Sequence, residues 1–563
     1  MYVLGITATM NDPAACLIKN GKVVTAIEEE RLTRYKFEKG FPHRAVDRVL
    51  KIAGISLQEV DYIGYTWLPY KYLGAETLYR FSRLPFGPRS SMLGFVNALG
   101  ITASHLHDLW TLQRETGKRP ISLNHHLCHL ASSFLGSPFE EAAILSVDNR
   151  GEDACTVMAT GRGRKIKIVK TIRIPHSLGK VYSGMTHHLG FRPEKDEYKV
   201  MGMASYGQPV YYDILKKMII LQPDGGYRIN HKLCNLDLDG RPTGKLISLI
   251  APPRHPHAEI TREHKNLAAS LQKVHEEVIL HLARYLRRKS GLDNLCLAGG
   301  VSYNSVANGR IREEAGFREV YLPPCVGDSG TAFGAAFYIY NAMLNKERAQ
   351  VIENAYFGSQ FSNKEIQEIL DICKLPYRKT KDIAKDTAIL LAEGNIFGWF
   401  QGGMEFGPRA LGARSILADP RREDMQDLVN KYVKRREEFR PFAPSVKEEA
   451  CQAYFEADYN TPFMTSVCRV KRERQKELPA TTHVDGTARV QTVNRNSCPL
   501  YWKLLDEFEK ITGIPVLLNT SFNVRDEPIV ASPYDAVSCF ASSGIDYLAV
   551  GDFLVSKKQL NKN

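Results

Sequence analysis

The chain has 563 residues, of which 44% are hydrophobic and 24% charged, and its formal net charge is +13. That length exceeds what one ordinary core holds and calls for two domains, or three. The composition excludes a disordered, collagen-like or low-complexity chain, and the basic balance favours anionic partners such as nucleotides and phosphates.

The opening MYVLGITATMNDPAACLI lacks the basic region and long apolar stretch of a signal peptide. No segment approaches the roughly 20 apolar residues of a membrane span, so a cytoplasmic protein with no membrane partner is expected. The same stretch reads as a strand meander: Tyr2 to Thr7, a second strand from Cys16, and a third from Val23 to Ile27. Asn20-Gly21 turns the second strand into the third, and a polar turn at residues 9–13 offers backbone N–H groups to a phosphate. Residues 142–160 repeat the scheme of apolar strand, Asp-containing turn and returning strand, which points to a two-lobed nucleotide fold. Further on come a helix over about 266–288 with 3.6-residue spacing, the buried strand NLCLAGG, and a strand, turn and small-residue helix in VYLPPCVGDSGTAFGAAFYIY. Periodicity lapses between 346 and 363, which sets domains at 1–350 and 351–563. A frayed tail is expected at 561–563. The 11 cysteines form no C-x-x-C pair and read as reduced thiols.

Five stretches carry chemistry. In NHHLCHLASS, His125 and His129 are four apart and project from one face of a helix, a spacing that suits two imidazoles on one metal ion. Asp148 and Asp328 are candidate third and fourth ligands, and two His with two carboxylates favours Fe, Mn or Zn. Spacing alone leaves a structural His pair open. In LAGGVSYNSVANGRI, Gly299 and Gly300 permit close backbone approach, and Asn304 and Asn308 could bond a base or ribose. In EYKVMGMASYG, Lys199 could neutralise a phosphate or be an ordinary surface lysine. In GPRALGARS and KRREEFRPFAPSV, Arg409, Arg414, Lys434 and Arg440 read as an anion pocket, against a structural ion pair with Glu437 or Glu438. In VLLNTSFN, Asn519 and Ser521 project to one side at the end of a buried strand. Basic clusters such as 434–436 and 469–472 lie inside patterned sequence and read as solvated faces, not nucleic-acid contacts. The aromatic-rich residues 67–120 either line an acceptor site or simply pack.

These motifs, with EEERLTR, SVDNRGE and RVQTV in the same order, resemble the O-carbamoyltransferases of the nodulation-protein U and antibiotic type, which include the cephamycin and tobramycin enzymes. The resemblance covers nearly the whole chain. It implies an α/β (mixed α+β) architecture. The N-terminal domain would be similar to the tRNA threonylcarbamoyl transferases (Kae-type), with the duplicated nucleotide fold of actin, sugar kinases and chaperones. The C-terminal domain would be YrdC-like. It implies a carbamoyltransferase that makes carbamoyl adenylate from carbamoyl phosphate and ATP with Mg(II), then carbamoylates a hydroxyl of a small natural-product or sugar-like acceptor. By resemblance the iron ligands match His125, His129, Asp148 and Asp328, with Fe(II) or another divalent ion. The carbamoyl phosphate pocket matches Arg409, Lys434, Arg440, Asn519 and Ser521. The nucleotide site falls on Lys199, Gly202, Gly299, Gly300, Val301, Asn304 and Asp328. Asp12 stands in the first phosphate turn, where the family's His-Asp is Asn11-Asp12 here. Asp12, Asp148 and His126 are the candidate bases for the acceptor hydroxyl, and a homodimer is compatible with the family. The competing readings are a tRNA threonylcarbamoyl-type modification enzyme, a nucleotide-binding regulator and a sugar kinase.

Overall fold

In the computed structural model, residues 1–8, 11–83, 88–235 and 240–557 are described. Part of the first polar turn, at 9–10, and the tail at 561–563 lie outside them. The chain divides into two compact units: Met1–Glu29 with Phe37–Ile352, and Glu30–Lys36 with Glu353–Asn563. The EEERLTR segment, expected whole with the first domain, is therefore split: Glu28 and Glu29 stay with the first unit, and Glu30 to Arg34 go with the second. The reason is two arginines: Arg31 donates to Gly407 O at 2.6 Å, and Arg34 donates to Ile529 O at 2.7 Å and Pro528 O at 2.9 Å.

The first unit contains the same sheet twice. Strands β1 (Tyr2–Thr7), β2 (Ala14–Lys19) and β3 (Lys22–Glu28) form an antiparallel meander turned at Asn20-Gly21, and β4 (Tyr62–Tyr65) and β5 (Ile121–Ser122) extend it in parallel, in the order β3-β2-β1-β4-β5. Strands β6 (Glu141–Val147), β7 (Ala154–Arg162) and β8 (Lys165–Arg173) form a second meander. Two short hairpins follow, β9 (Ile219–Leu221) with β10 (Tyr227–Ile229) and β11 (Cys234–Asn235) with β12 (Arg241–Pro242). Then β13 (Asn294–Ala298) and β14 (Glu319–Tyr321) join β6 in parallel, in the order β14-β13-β6-β7-β8. Each sheet is thus a three-strand meander whose first strand carries two parallel additions. The duplication read from residues 142–160 is present in the topology. The two parallel additions of the first sheet are separated by a helical insert, Pro69–Arg83 and Pro88–Thr116.

Small residues in GTAFGAAF set the depth of the unit's core. The Thr331–Phe337 helix packs against both β1 and the His125–Phe134 helix. A Cβ at Gly334 would stand 1.8 Å from Cys128 O, so the two helix backbones touch at a point only glycine allows.

The second unit is three-layered. An eight-stranded mixed sheet contains β15 (Tyr377–Lys379), β16 (Phe397–Phe400), β17 (Arg414–Ala418) and β18 (Ala443–Lys447). Strands β19 (Cys468–Arg469) and β20 (Thr487–Ala488) pair apart from it, and β21 (Gln491–Val493), β22 (Val516–Ser521), β23 (Tyr547–Val550) and β24 (Phe553–Ser556) complete it. Alternation along FGWF shows the layering. Phe397 and Trp399 pack with Leu391, Leu504 and Phe508 of the Ile383–Ala392 and Pro499–Thr512 helices. Phe400 packs with Leu370 and Phe540 of the Asn363–Ile372 and Pro533–Ser542 helices. Among the described residues, no helix is long and apolar enough to cross a membrane.

Candidate functional site

Strand ends and one helix start gather the histidines and aspartates of the first unit. Asn124 caps the His125–Phe134 helix, its Oδ1 accepting from Leu127 N at 3.1 Å. One turn then separates His125 from His129 on its buried face. Asp148 follows the last residue of β6, and Asp328 opens the turn into the Thr331–Phe337 helix. The four ligand atoms all lie within 4.8 Å of one another. The two Nε2 atoms are 3.0 Å apart; Asp148 Oδ2 lies 3.1 Å from His125 Nε2 and 3.6 Å from His129 Nε2; Asp328 Oδ1 lies 3.5 Å from each. Burial opposes charge on His125, but Asp328 and Asp148 outweigh it and hold the imidazole well above its ordinary range. Burial raises Asp148, and hydrogen bonds from His125 and His129 overcome it and leave the carboxyl well below the usual range. Asp328 is lowered as well: burial and Asp148 oppose ionisation, and the histidines prevail.

This donor set fits a divalent metal. Two imidazole nitrogens and two carboxylate oxygens suit Fe, Mn or Zn, and bonds of about 2.1 Å produce donor–donor edges of the 3.0–3.6 Å seen here. Without an ion, two buried Nε2 atoms facing each other can share at most one hydrogen bond.

The glycine turn after β13 adjoins this cluster. Gly299 has φ +88 and a Cβ there would stand 2.2 Å from Val147 O; Gly300 N–H donates to Asp148 Oδ1 at 3.0 Å. Val301 continues this turn. Asn304, by contrast, is engaged inside the fold. Its Oδ1 caps the Ser305–Glu314 helix through Ala307 N, and its carboxamide exchanges two hydrogen bonds of 2.9 Å with Gln272. Lys199 and Gly202 lie on the Glu197–Ala204 helix, and Lys199 Nζ is 3.4 Å from Asp196 Oδ1. Asp12 holds a left-handed conformation at φ 49, near enough to Tyr303 and Cys325 to act on both electrostatically. His126 is engaged on both sides, by Ser146 Oγ at 2.9 Å and Ala154 O at 3.1 Å, and burial pushes it down to about 3. It is a structural residue with no free nitrogen for an acceptor hydroxyl.

The second unit collects basic groups at one end of its sheet, and pairing explains how. Strand β22 runs antiparallel to β17 and β18, so its end, Asn519 to Ser521, lies opposite the starts of both (Ser415↔Ser521, Ala443↔Asn519). Strand β21 is parallel to β18, so Arg489 enters beside the Arg440-Pro441-Phe442 segment (Ser445↔Gln491). Lys434 is buried, and its Nζ donates to Ser521 O at 2.7 Å and Oγ at 3.1 Å, and to Asn523 O at 2.9 Å and Oδ1 at 2.5 Å. Burial and then Arg436 push its proton affinity well below the usual lysine range, with Arg440 adding to the effect. Arg489 is likewise depressed, by burial and then by Arg409, Arg440 and Arg436. Arg489 thus feels three other guanidiniums, and the buried Lys434 ammonium feels two of those three, an arrangement that calls for an anion. Arg440 also has Glu437 at 3.6 Å. Among the described residues, Arg489 Nε and Asn519 Oδ1 are buried with no hydrogen-bond partner, while Asn519 Nδ2 is engaged by Ala410 O, Ser445 Oγ and Gln491 Oε1.

Arg414, grouped with the anion ligands on sequence, is instead structural. It is fully buried over the Phe400 ring at 3.6 Å and donates to Gln401 O, Ala413 O, Ser359 O and Gly402 O. Arg489 joins the cluster although sequence reasoning did not single it out, and the solvated-face reading of 434–436 fails there, since Lys434 is buried and Arg436 acts on both it and Arg489. The signal for Arg489 was its place at the head of RVQTV, an apolar strand motif.

Residues 2–337 match the family described as Carbamoyltransferase N-terminus, and residues 388–557 match Carbamoyltransferase C-terminus. An uncharacterized protein of Synechocystis sp., sll1178, is 40% identical over 99% of this chain and 97% of its own length. Nodulation protein NolNO of Sinorhizobium fredii is 36% identical over 98% of this chain and 79% of its own. Nodulation protein NolO of Bradyrhizobium diazoefficiens is 39% identical over 77% and 79%.

Proposed function

The chain belongs to the carbamoyltransferase family, and on that premise we propose that it is an ATP-dependent O-carbamoyltransferase working through carbamoyl adenylate. The observation that carries the donor half is the basic pocket of the second unit, which we read as YrdC-like. There Arg409, Arg440 and Arg489 grip the phosphate of carbamoyl phosphate, Lys434 orients Ser521 toward it, and Asn519 Oδ1 accepts from the carbamoyl amide. Water cleaves carbamoyl phosphate to carbamate and phosphate. The carbamate oxygen then attacks the α-phosphorus of ATP, brought with Mg(II), and pyrophosphate leaves.

The first unit, with its twice-repeated meander sheet, is read as the nucleotide fold of actin and sugar kinases, and it transfers the carbamoyl group. An acceptor alcohol attacks the carbonyl of the adenylate, AMP leaves, and the hydroxyl proton passes to a base. His125, His129, Asp148 and Asp328 would hold Fe(II) or a similar divalent ion, which when bound supplies Lewis-acid polarisation of the anhydride. The turn of Gly299, Gly300 and Val301 brings backbone against the nucleotide, with Lys199 and Gly202 behind it. Asn304 serves as the cap that holds this turn in place. With His126 engaged and Asp148 committed to the cluster, Asp12 is the residue assigned to the acceptor proton. The acceptor is a small hydroxyl compound.

The test is incubation of the protein with Fe(II), ATP and carbamoyl phosphate without acceptor, following pyrophosphate and carbamoyl adenylate by mass spectrometry. Adenylate formation that disappears in Arg440→Ala is expected. Bound but unreacted ATP, with no pyrophosphate, would overturn the two-step reading.

A further inference from the structure

The loop between β6 and β7 contributes Asp148 to the cluster and, four residues later, a second carboxylate with a different role. Glu152 is fully buried, and its carboxylate stands outside the group of four ligand atoms. Its oxygens accept from three donors instead: Leu68 N at 3.0 Å, His125 N at 3.0 Å, and the side-chain amide of Asn124. Two of those donors are the cap and first residue of the His125–Phe134 helix, where a carboxylate meets unpaired N–H groups and the positive end of the helix dipole. The third anchors the loop that carries Trp67, whose ring stands edge-on to the His125 ring at 5.6 Å and stacks on His105 at 5.6 Å. The backbone of Glu152 is held in turn by Arg150, which donates to Glu152 O at 3.4 Å and to Glu76 of the helical insert at 2.6 Å.

We propose that Glu152 is a positioning residue that fixes the start of the His125 helix and the Trp67 loop to one point, so that ligand geometry at His125 and the wall beside it are set together. Asp148 and Glu152 make the six-residue loop both a ligand and a clamp. The inference rests on the metal reading of the cluster only for its affinity arm; the structural arm stands without it.

The test uses the full chain with Glu152→Gln and the exchange pair Glu152→Gln with Asn124→Asp. In the pair, the new amide can still accept from Leu68 N and His125 N and donate to the new carboxylate, which keeps the cap on Leu127 N. In metal-free protein, hydrogen exchange should accelerate in both 66–69 and 124–130 in the single variant and return in the pair. Fe(II) titrated alone under anaerobic conditions should bind roughly tenfold or more weakly to the single variant, the size typical of outer-shell losses, and recover to within about threefold in the pair. Acceptor-free pyrophosphate release serves as the folding control. Unchanged exchange in the single variant, or exchange that changes in one segment but not the other, would overturn the proposal, as would a pair no better than the single variant. Wild-type protein that binds no Fe(II) while the exchange pattern holds would sink the metal reading and leave the clamp intact.

Discussion

The Nε2 atoms of His125 and His129 face each other at 3.0 Å across one helical turn, with Asp148 and Asp328 closing the other two sides. Removing one imidazole leaves three donors around a buried space. His129→Ala is expected to weaken Fe(II) binding by about 100-fold or more and to abolish carbamoyl transfer. Acceptor-free pyrophosphate release, assigned to the other unit, should persist. Calorimetric titration and the pyrophosphate assay check the two halves separately.

Arg489 and Arg414 should behave as opposites. Arg489→Ala removes a guanidinium whose Nε has no hydrogen-bond partner among the described residues, so pyrophosphate release should fall by about 100-fold with little change in melting. Arg414→Met leaves four carbonyl oxygens without their donor and should destabilise the protein by about 3 kcal/mol. Paired activity and thermal-melt measurements separate the two outcomes.

Neighbouring glycines should also part company. Gly299→Ala drives a Cβ to 2.2 Å from Val147 O at a positive φ, and a loss of about 2 kcal/mol or more is expected. Gly300→Ala places its Cβ 3.0 Å from Asp148 Oδ1, so it should displace a ligand and weaken Fe(II) binding while the melt changes less. A melt unchanged by Gly299→Ala would contradict the close approach.

Glu76 is buried in the helical insert, where burial raises its pKa but Arg150 and then Arg80 outweigh it and leave it below the usual glutamate value. A carboxyl depressed in the folded state stabilises above its unfolded pKa of about 4.3 and loses that contribution as pH falls through the folded value. Glu76→Gln should therefore cost about 2 kcal/mol at pH 7, and the gap in melting temperature from wild type should narrow progressively as pH falls below the unfolded value of about 4.3. Scanning calorimetry across pH 3–7 reads the narrowing.

Local pattern was enough for the strand meanders, the Asn20-Gly21 turn and the His125/His129 face, because period and turn chemistry act within a few residues. Side-chain allegiance was not legible at that range. Arg414 and Arg409 look alike in GPRALGARS, yet Arg414 opens a strand, β17, that is buried along its whole length while Arg409 lies outside it, and only the fold shows which carbonyls surround Arg414. Arg489 lies 49 residues beyond Arg440 and meets it through parallel pairing of β18 with β21, a register that no single stretch of sequence encodes. Asn304 looked like a ligand because its partner, Gln272, stands on a helix far upstream.

The chain passes from one unit to the other after Glu29, after Lys36 and after Ile352. A cut at the last crossing would not release a finished second unit, since Arg31 and Arg34, with their bonds to Gly407, Pro528 and Ile529, would stay on the other fragment. Separately expressed fragments 1–352 and 353–563 are therefore halves of a complementation pair: the first carries a seven-residue strap that the second needs to complete itself. During synthesis that strap emerges from the ribosome early and must wait for almost the entire chain before its acceptors exist.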